Sequence, residues 1–238
     1  MGQVVCLNLG RAEYERTLLL QRRLVEQVAA AGGPQVYLIL VEHDPPVITL
    51  GRRANDRNIL ASRQRLAAEG IEVHEASRGG DVTYHGPGQL VGYPILSLDR
   101  RGRDVHRYMR DLEEVIIRLL ERLGISAARV KGRTGVWVGR ENMENMEKVA
   151  SIGIAVSRRV AYHGFSLNVS PNLDHFKLIV SCGIPDIRMT SISRLLGRDI
   201  PIAEVCRPLA DCFAEVFGLD GVREGSASEL LARAGEQR

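Results

Sequence analysis

The segment formed by residues 77–92, SRGGDVTYHGPGQLVG, constrains the fold more than any other part of the chain. Six of its sixteen residues are glycine or proline, and a short strand-like run, Val82-Thr83-Tyr84, lies in its middle. Glycines at this density mark turns with positive φ, or places where another group approaches the backbone closely. A tight hairpin would explain the glycines alone, but Arg, Asp, Tyr, His and Gln side chains lie between them. We therefore predict a binding loop on a sheet.

Apolar periodicity divides the rest of the chain into strands and helices. The predicted strands are 4–9, 36–42, 47–50, 71–74, 89–98, 135–138, 149–157 and 160–169, and the predicted helices are 12–30, 60–68, 104–123, 190–197 and 202–217. Because no regular βαβ alternation is present, the fold class is α+β, with a mixed, largely antiparallel sheet and flanking helices. No linker composition interrupts the chain, which indicates a single domain over residues 1–238 with a C-terminal helical layer from about residue 190.

Two segments lack apolar periodicity. Residues 140–147, RENMENME, contain a small tandem repeat and are predicted to form a mobile, charged hairpin tip. The tail from Gly225 onward is small and polar, and we expect it to pack loosely.

Charge and cysteine usage narrow the class of protein. A net charge of +3 is too small to indicate a nucleic-acid partner by itself. No apolar run reaches membrane-spanning length, and the N-terminus does not resemble a signal peptide. The four cysteines show neither a Cys-x-x-Cys pair nor metal-ligand spacing, which predicts a reducing compartment, the cytoplasm, and no metal site.

The cysteines differ in their sequence surroundings. Cys6 lies in an apolar strand, and Cys206 and Cys212 lie on a helix among apolar residues, so all three are interpreted as small buried hydrophobes. Cys182 instead precedes Gly183 at a turn, where a sulfur can be exposed beside backbone N–H groups. Local sequence alone leaves a structural cysteine and a nucleophile both open at this position.

Four motifs, in one order, carry a resemblance to a known family. RGGDVTYHGPGQLVGYPI at 78–95, KVASIGIAV at 148–156, YHGFSLNV at 162–169 and SCGIPD at 181–186 resemble the octanoyltransferases of lipoate biosynthesis. The resemblance extends from about residue 38 to residue 196. It implies the fold shared by biotin and lipoate protein ligases. One departure is Ser181, where proline is expected more often before the cysteine.

The resemblance implies roles for individual residues. Cys182 would be the acyl-carrying nucleophile and Lys148 its catalytic partner. Burial favours the neutral form of a lysine, which can accept a proton, and the charged form stabilises a thiolate. Without the resemblance, Lys148 could equally be a solvent-facing charge, and His85 would be the rival base. The implied acyl-binding residues are Arg78, Gly79, Gly80, Asp81, Val82, Thr83, Tyr84, His85, Ser151, Ile152, Gly153, Gly164, Phe165 and Ser166.

The implied reaction moves an octanoyl group from acyl carrier protein to a lysine of a lipoyl domain, through a thioester on the enzyme. Exchange between thioesters is nearly balanced in free energy, so no nucleotide or other cofactor is expected. The implied acceptors are the lipoyl domains of 2-oxoacid dehydrogenase complexes and the glycine cleavage H protein. An arginine cluster would meet these acidic partners; its members are Arg100, Arg101, Arg103, Arg107 and Arg110.

Two other functions remain open at this level. An ATP-dependent lipoate or biotin protein ligase would share the fold and the Arg-Gly-Gly loop, but it needs no nucleophilic cysteine. A non-catalytic protein that binds acyl carrier protein or lipoyl domains would use the arginine surface, and it leaves Cys182 and Lys148 unexplained.

Overall fold

The computed structural model describes residues 2–31, 35–99, 102–139 and 146–226, and their backbone forms two sheets with flanking helices. The larger sheet has the strand order β12-β1-β2-β6-β10-β9-β8-β7, and β11 pairs with β9 beside this path. Its strands are β1 (Val4–Ala12), β2 (Val36–His43), β6 (Gln89–Ser97), β7 (Ala128–Val130), β8 (Arg133–Val138), β9 (Glu147–Ser157), β10 (Val160–Asn168), β11 (Arg188–Met189) and β12 (Val222–Glu224). Pairing is antiparallel from β2 through β7, whereas β1 pairs in parallel with β2 and β12, and β11 with β9.

Helices cover both faces of this sheet; they are α1 (Tyr14–Ala31), α3 (Val105–Arg122), α4 (Ile192–Leu196) and α5 (Ile202–Phe217). The short helix α2 (Arg63–Ala68) instead packs its Leu66 with Ile48 and Val82. Strand β2 is apolar without alternation because each of its faces meets a helix layer. Ile39 and Val41 pack with α1, whereas Leu38 and Leu40 pack with α3 and α5.

The smaller sheet has the order β4-β3-β5 and carries the glycine-rich segment. Its strands are β3 (Val47–Leu50), β4 (Glu72–Glu75) and β5 (Val82–His85). Strand β3 is parallel to β4 and antiparallel to β5. The predicted binding loop is therefore a strand of a second sheet together with the turns on either side of it.

The structure confirms the α+β class and the mixed, largely antiparallel sheet, and most element bounds agree with the predicted ones to within a few residues. The short strands β7 and β12 were not predicted. The hairpin tip falls mostly on residues 140–145, which lie outside the described residues, and Glu147 already belongs to β9. At the start of the predicted loose tail, the Gly225 N–H donates to the Cys6 carbonyl at 2.9 Å, and residues beyond 226 are not described. In the part of the chain that the structure describes, no helix has the length and apolarity needed to cross a membrane.

Candidate active site

A cavity of about 570 Å³ is lined by residues of both sheets and by the first turns of α3. Its volume is in the range of small-molecule sites. Every site residue predicted from the sequence lines it except Tyr84. The lining residues from that prediction are Arg78, Gly79, Gly80, Asp81, Val82, Thr83, His85, Lys148, Ser151, Ile152, Gly153, Gly164, Phe165, Ser166 and Cys182.

Strand pairing brings the three predicted wall segments together. Along β9 and β10, Ser151 lies opposite Ser166, and Ile152 lies opposite Phe165. The loop of the smaller sheet joins them because the Gly79 N–H donates to the Ile154 carbonyl at 2.8 Å. The wall is therefore held by backbone hydrogen bonds, while the side chains of Ile152 and Phe165 supply apolar surface.

Cys182 lies on a short 3₁₀ turn, Ser181–Gly183, and has a left-handed backbone with φ 59°. It is half-buried, unlike Cys6, Cys206 and Cys212, which are buried. A non-glycine residue in this conformation is uncommon and points to a functional constraint. The following Gly183 also has positive φ, and a β-carbon there would collide with the Asp81 carboxylate.

Lys148 lies on β9 with 2% of its surface exposed, and its Nζ donates to Cys182 Sγ at 3.4 Å. Its backbone carbonyl accepts the Thr190 N–H at 3.0 Å, so the segment that follows Cys182 is paired to the lysine strand. On the other side Nζ lies 5.3 Å from the centroid of the Trp137 ring. The structure thus brings together the two residues predicted to be catalytic, although they are 34 positions apart.

The space around Lys148 depends on Gly135 of β8. A β-carbon at Gly135 would lie 2.5 Å from Lys148 Cε, and its φ of 122° also favours glycine. The Gly135 N–H donates at 2.9 Å to Oε1 of Glu113, a residue of α3 whose side chain is fully buried. Glu113 Oε2 accepts from Arg110 at 2.6 Å and from Arg129 at 3.2 Å. Glu113 therefore fixes the strand that packs against Lys148.

Arg78 places a buried cation in the cavity wall, with 8% of its surface exposed. Its guanidinium donates to the Thr49 carbonyl at 2.7 Å, to Thr49 Oγ1 at 2.8 Å and to the Gly79 carbonyl at 3.1 Å. No carboxylate lies within ion-pair distance of Arg78 among the described residues. Burial lowers its pKa, and interaction with Cys182 opposes that shift. An arginine stays charged in proteins, so its field favours a thiolate or an oxyanion in the cavity.

The Asp81 carboxylate ties three segments together. Oδ1 accepts the N–H groups of Val82 at 2.8 Å and Asn55 at 3.2 Å, and Oδ2 accepts Asn58 Nδ2 at 2.7 Å. The same carboxylate packs against Gly183 beside Cys182. Its oxygens are engaged by the protein, so Asp81 positions the wall and the turn that carries Cys182.

A chain of amide hydrogen bonds fixes the tautomer of His85. Asn168 Nδ2 donates to the Thr190 carbonyl at 2.9 Å, and Gln89 Nε2 donates to Asn168 Oδ1 at 2.9 Å. Gln89 Oε1 therefore accepts, at 2.7 Å, the proton that His85 carries on Nδ1. The other ring nitrogen, Nε2, is left as an acceptor. Burial, together with the nearby His43, lowers the His85 pKa to about 3, which keeps the ring neutral.

Tyr14, Tyr93 and His163 also line the cavity, with His43 hydrogen-bonded to Tyr93, and none of them was predicted as a site residue. His43 Nε2 accepts the Tyr93 hydroxyl at 2.8 Å, and His163 Nε2 contacts Ser77 Oγ at 3.0 Å. Burial lowers the pKa of His43 to about 4 and that of His163 to about 3. Tyr14 is 4% exposed, and its hydroxyl has no hydrogen-bond partner among the described residues.

Tyr84 is the predicted substrate-binding residue that the structure does not bring to the cavity. Its hydroxyl contacts His175 Nδ1 at 2.6 Å, and its ring packs edge-on against Phe176. The reason is strand alternation, because Thr83 and His85, its neighbours on β5, point to the opposite face. Tyr84 therefore supports the smaller sheet from behind.

Comparison with known proteins gives a consistent family. A family profile described as the lipoyl protein ligase A/B catalytic domain matches residues 13–214. An octanoyltransferase of Myxococcus xanthus is 48% identical over 222 residues, which are 93% of this chain and 62% of that protein's length. An octanoyltransferase of Alkaliphilus metalliredigens is 47% identical, covering 90% of this chain and 95% of its own. The chain belongs to this octanoyltransferase family.

The fold of this octanoyltransferase family member is also found among solved structures. The bipartite lipoate protein ligase of Thermoplasma acidophilum, solved in a study of that ligase and its E2 lipoyl domain, aligns with a TM-score of 0.73 at 17% identity. The alignment covers 100% of this chain and 94% of the other. The predicted resemblance in fold to lipoate protein ligases is confirmed.

Proposed function

We propose that this octanoyltransferase, an acyltransferase of protein lipoylation, works in two steps through a thioester on Cys182. Its family membership supports octanoyl transfer, and one observation supports the route: Lys148 Nζ lies 3.4 Å from Cys182 Sγ in the cavity that Arg78 lines. The proposed donor is octanoyl acyl carrier protein. The proposed acceptors are lysines of the lipoyl domains of 2-oxoacid dehydrogenase complexes and of the glycine cleavage H protein.

In the first step the Cys182 thiolate attacks the carbonyl carbon of the donor thioester. Lys148, which has taken the thiol proton, stabilises the thiolate as an ammonium group. The carbon–sulfur bond to the donor then breaks, and the departing thiolate takes a proton from Lys148. One thioester replaces another, so the step is nearly balanced and needs no nucleotide.

In the second step the acceptor amine attacks the Cys182 thioester. Lys148, now neutral, takes a proton from the attacking nitrogen, and the Cys182 sulfur leaves as a thiolate. The product is an amide, which is more stable than a thioester and makes the step downhill. His85 Nε2, an acceptor held in one tautomer, can accept a hydrogen bond from the same amine.

The acyl chain would be held by burial against the wall of Ile152 and Phe165. Each buried methylene contributes about 0.8 kcal/mol, so a medium-length chain gains several kcal/mol without a polar contact. Arg78 would stabilise the tetrahedral oxyanion. The cytoplasmic location predicted from the cysteine pattern stays a prediction.

Intact-mass spectrometry tests the route directly. The protein is mixed with octanoyl carrier protein without ATP or an acceptor, and we expect one octanoyl adduct that Cys182→Ala lacks and Cys212→Ala retains. Adding a lipoyl domain should remove the adduct and octanoylate the domain. An unmodified protein that acts only when octanoate and ATP are supplied would instead favour a ligase, which the fold likeness to a lipoate protein ligase makes the second candidate.

A further inference from the structure

The mouth of the cavity carries arginines that have no acid partner. Lining residues that are exposed mark the opening, and Arg52 and Arg53 lie there on one side. Arg133 of β8 is half-buried and also lines the cavity, and its guanidinium lies 5.8 Å from the centroid of the Trp137 ring. None of the three has a carboxylate within ion-pair distance in the described part of the chain. Arg65 and Arg207, by contrast, pair with acids one helical turn away.

The backbone that carries Arg52 and Arg53 is fixed relative to Cys182. The Arg52 N–H donates to the Arg78 carbonyl at 3.0 Å, and the Arg53 N–H donates to the Gly80 carbonyl at 3.1 Å. Through Asp81, the same loop is joined to Gly183. The backbone from which these two side chains extend is therefore held at a set position beside the cavity that contains Cys182.

The first turns of α3 line the same cavity through Val105, His106 and Met109. After the N-cap Asp104, the first turn contains no acidic residue, and the N-terminal end of a helix dipole attracts negative charge. Arg110 also lines the cavity, but its guanidinium donates to Glu113 at 2.6 Å. An anion at the mouth would therefore be attracted by the three arginines and by the helix end.

We propose that Arg52, Arg53 and Arg133 form a phosphate-binding site for the pantetheine arm of the thioester donor. This inference rests on the proposed function. The octanoyl thioester of a carrier protein is attached through a phosphopantetheine arm, whose phosphodiester lies at the far end of the arm from the sulfur. With the carbonyl carbon at Cys182, the arm leads outward through the mouth. Arginine suits the phosphate because its planar group donates two parallel hydrogen bonds to phosphate oxygens.

The test compares two small donors that differ only in the phosphate, octanoyl-pantetheine and octanoyl-phosphopantetheine. The rate of octanoyl adduct formation on the full chain is followed by intact mass, without an acceptor. We expect the wild-type protein to prefer the phosphorylated donor by about tenfold or more in kcat/KM. Arg52→Gln, Arg53→Gln and Arg133→Gln should each reduce this preference several-fold. Arg23→Gln is the matched control, because this substitution removes the same charge from an exposed residue of α1 that does not line the cavity.

Several outcomes would overturn the site while leaving the thioester route intact. They are equal use of both donors by the wild-type protein, equal slowing of both donors in the variants, or an effect of Arg23→Gln as large as the others. Octanoyl adenylate supplies the alternative source of a phosphate. Variants that lose reaction with the adenylate and keep the preference for octanoyl-phosphopantetheine would assign the arginines to a nucleotide. If no donor modifies Cys182, the proposed function itself has failed.

Discussion

Cys182 and the cysteines of the apolar core show how one residue type acquires two different characters. Cys212 is fully buried on α5, and burial raises the pKa of its thiol, as it does for Cys206 and for Cys6, whose pKa reaches about 11. Cys182 is half-buried on a left-handed turn, with an amine 3.4 Å from its sulfur. The cysteines thus differ in backbone conformation and in their neighbouring groups. Substitution of each neighbouring group tests whether this difference matters.

The largest expected effect is at the sulfur itself. Cys182→Ala should abolish octanoyl transfer, because no other residue can carry the acyl group, and should leave the protein folded. Cys212→Ala should retain transfer and lose about 1 kcal/mol of stability, since it shortens a core side chain. Transfer assays and urea denaturation of both variants measure this. Activity in Cys182→Ala would remove the covalent route.

Removing the proton acceptor should have nearly the same effect. Lys148→Arg keeps the positive charge, but an arginine cannot give up its proton, so transfer should fall by at least about a hundredfold, close to Lys148→Ala. The measurement is single-turnover transfer from octanoyl protein to a lipoyl domain. If Lys148→Arg retains most of the rate, the lysine acts only through its charge, and His85 becomes the stronger base candidate.

A smaller loss should follow when Lys148 is displaced without being changed. Gly135→Ala introduces a β-carbon against Lys148 Cε, and we expect adduct formation to slow by about tenfold. Gly124→Ala is the control, because Gly124 also has positive φ but a β-carbon there meets nothing within 4 Å. Both variants should lose stability from backbone strain, about 1–3 kcal/mol. Equal adduct rates in the two variants would show that Gly135 serves the fold alone.

The stability of the folded protein should depend on pH through the buried histidines at and beside the cavity. His43, His85 and His163 are buried with pKa values of about 4, 3 and 3. In the unfolded chain these histidines take up protons near pH 6.5, whereas in the folded chain they stay neutral. The free energy of unfolding is therefore fully present above pH 6.5 and falls as the pH falls towards 4. Below the unfolded pKa, each of these histidines lowers the free energy of unfolding by about 1.4 kcal/mol for every pH unit that the pH falls.

Urea denaturation between pH 7 and pH 5 measures that slope. His43→Gln should reduce the slope by about one proton. An unchanged slope in His43→Gln would mean that this ring is already protonated in the folded protein.

The smallest effect is expected at the basic surface of α3. Arg100 and Arg101 of the predicted arginine cluster lie outside the described residues, and Arg103 and Arg107 are exposed. Reversing both charges, in Arg103→Glu with Arg107→Glu, should lower kcat/KM with octanoyl carrier protein a few-fold and flatten its salt dependence. Arg103→Glu loses the exposed ion pair with Asp99, which costs about 1 kcal/mol at most, and glutamate near a helix N-terminus is favourable, so the double variant should stay folded. The same loss with octanoyl-pantetheine would contradict a docking role.

Much of the site could be predicted from the sequence because its residues lie in short motifs. The sequence context of Cys182, beside Gly183, separates it from the three buried cysteines, and β9 and β10 bring the predicted wall segments into register. Tyr84 was predicted with its neighbours because a motif was treated as a unit, whereas strand alternation turns Thr83 and His85 towards the cavity and Tyr84 away from it. Considering the period of two along residues 82–85 would have separated it from Thr83 and His85.

Other site residues could not be predicted because their roles come from distant contacts. Glu113 is one more charge within an amphipathic helix until its carboxylate is seen to reach the Gly135 N–H. Tyr14 lies in a segment without a motif, and Tyr93 lies near the end of the 78–95 motif in a run that was interpreted only as a strand; both line the cavity once α1 packs on the sheet. The strands of the smaller sheet were predicted, but their separation into a second sheet was not, because strands of four residues do not show in the sequence which partner they pair with.

The carboxylate of Asp81 has a consequence for how relatives of this protein can diverge. It joins the loop that holds Asn55 and Asn58, the glycine-rich wall and the turn at Gly183. Asn55 contributes its backbone N–H, which other residues would also supply, whereas a substitution at Asp81, Asn58 or Gly183 removes a side-chain partner or a space on which the others depend. Lineages should therefore keep these three together or exchange them together, whereas exposed positions nearby, such as Asp56, vary independently.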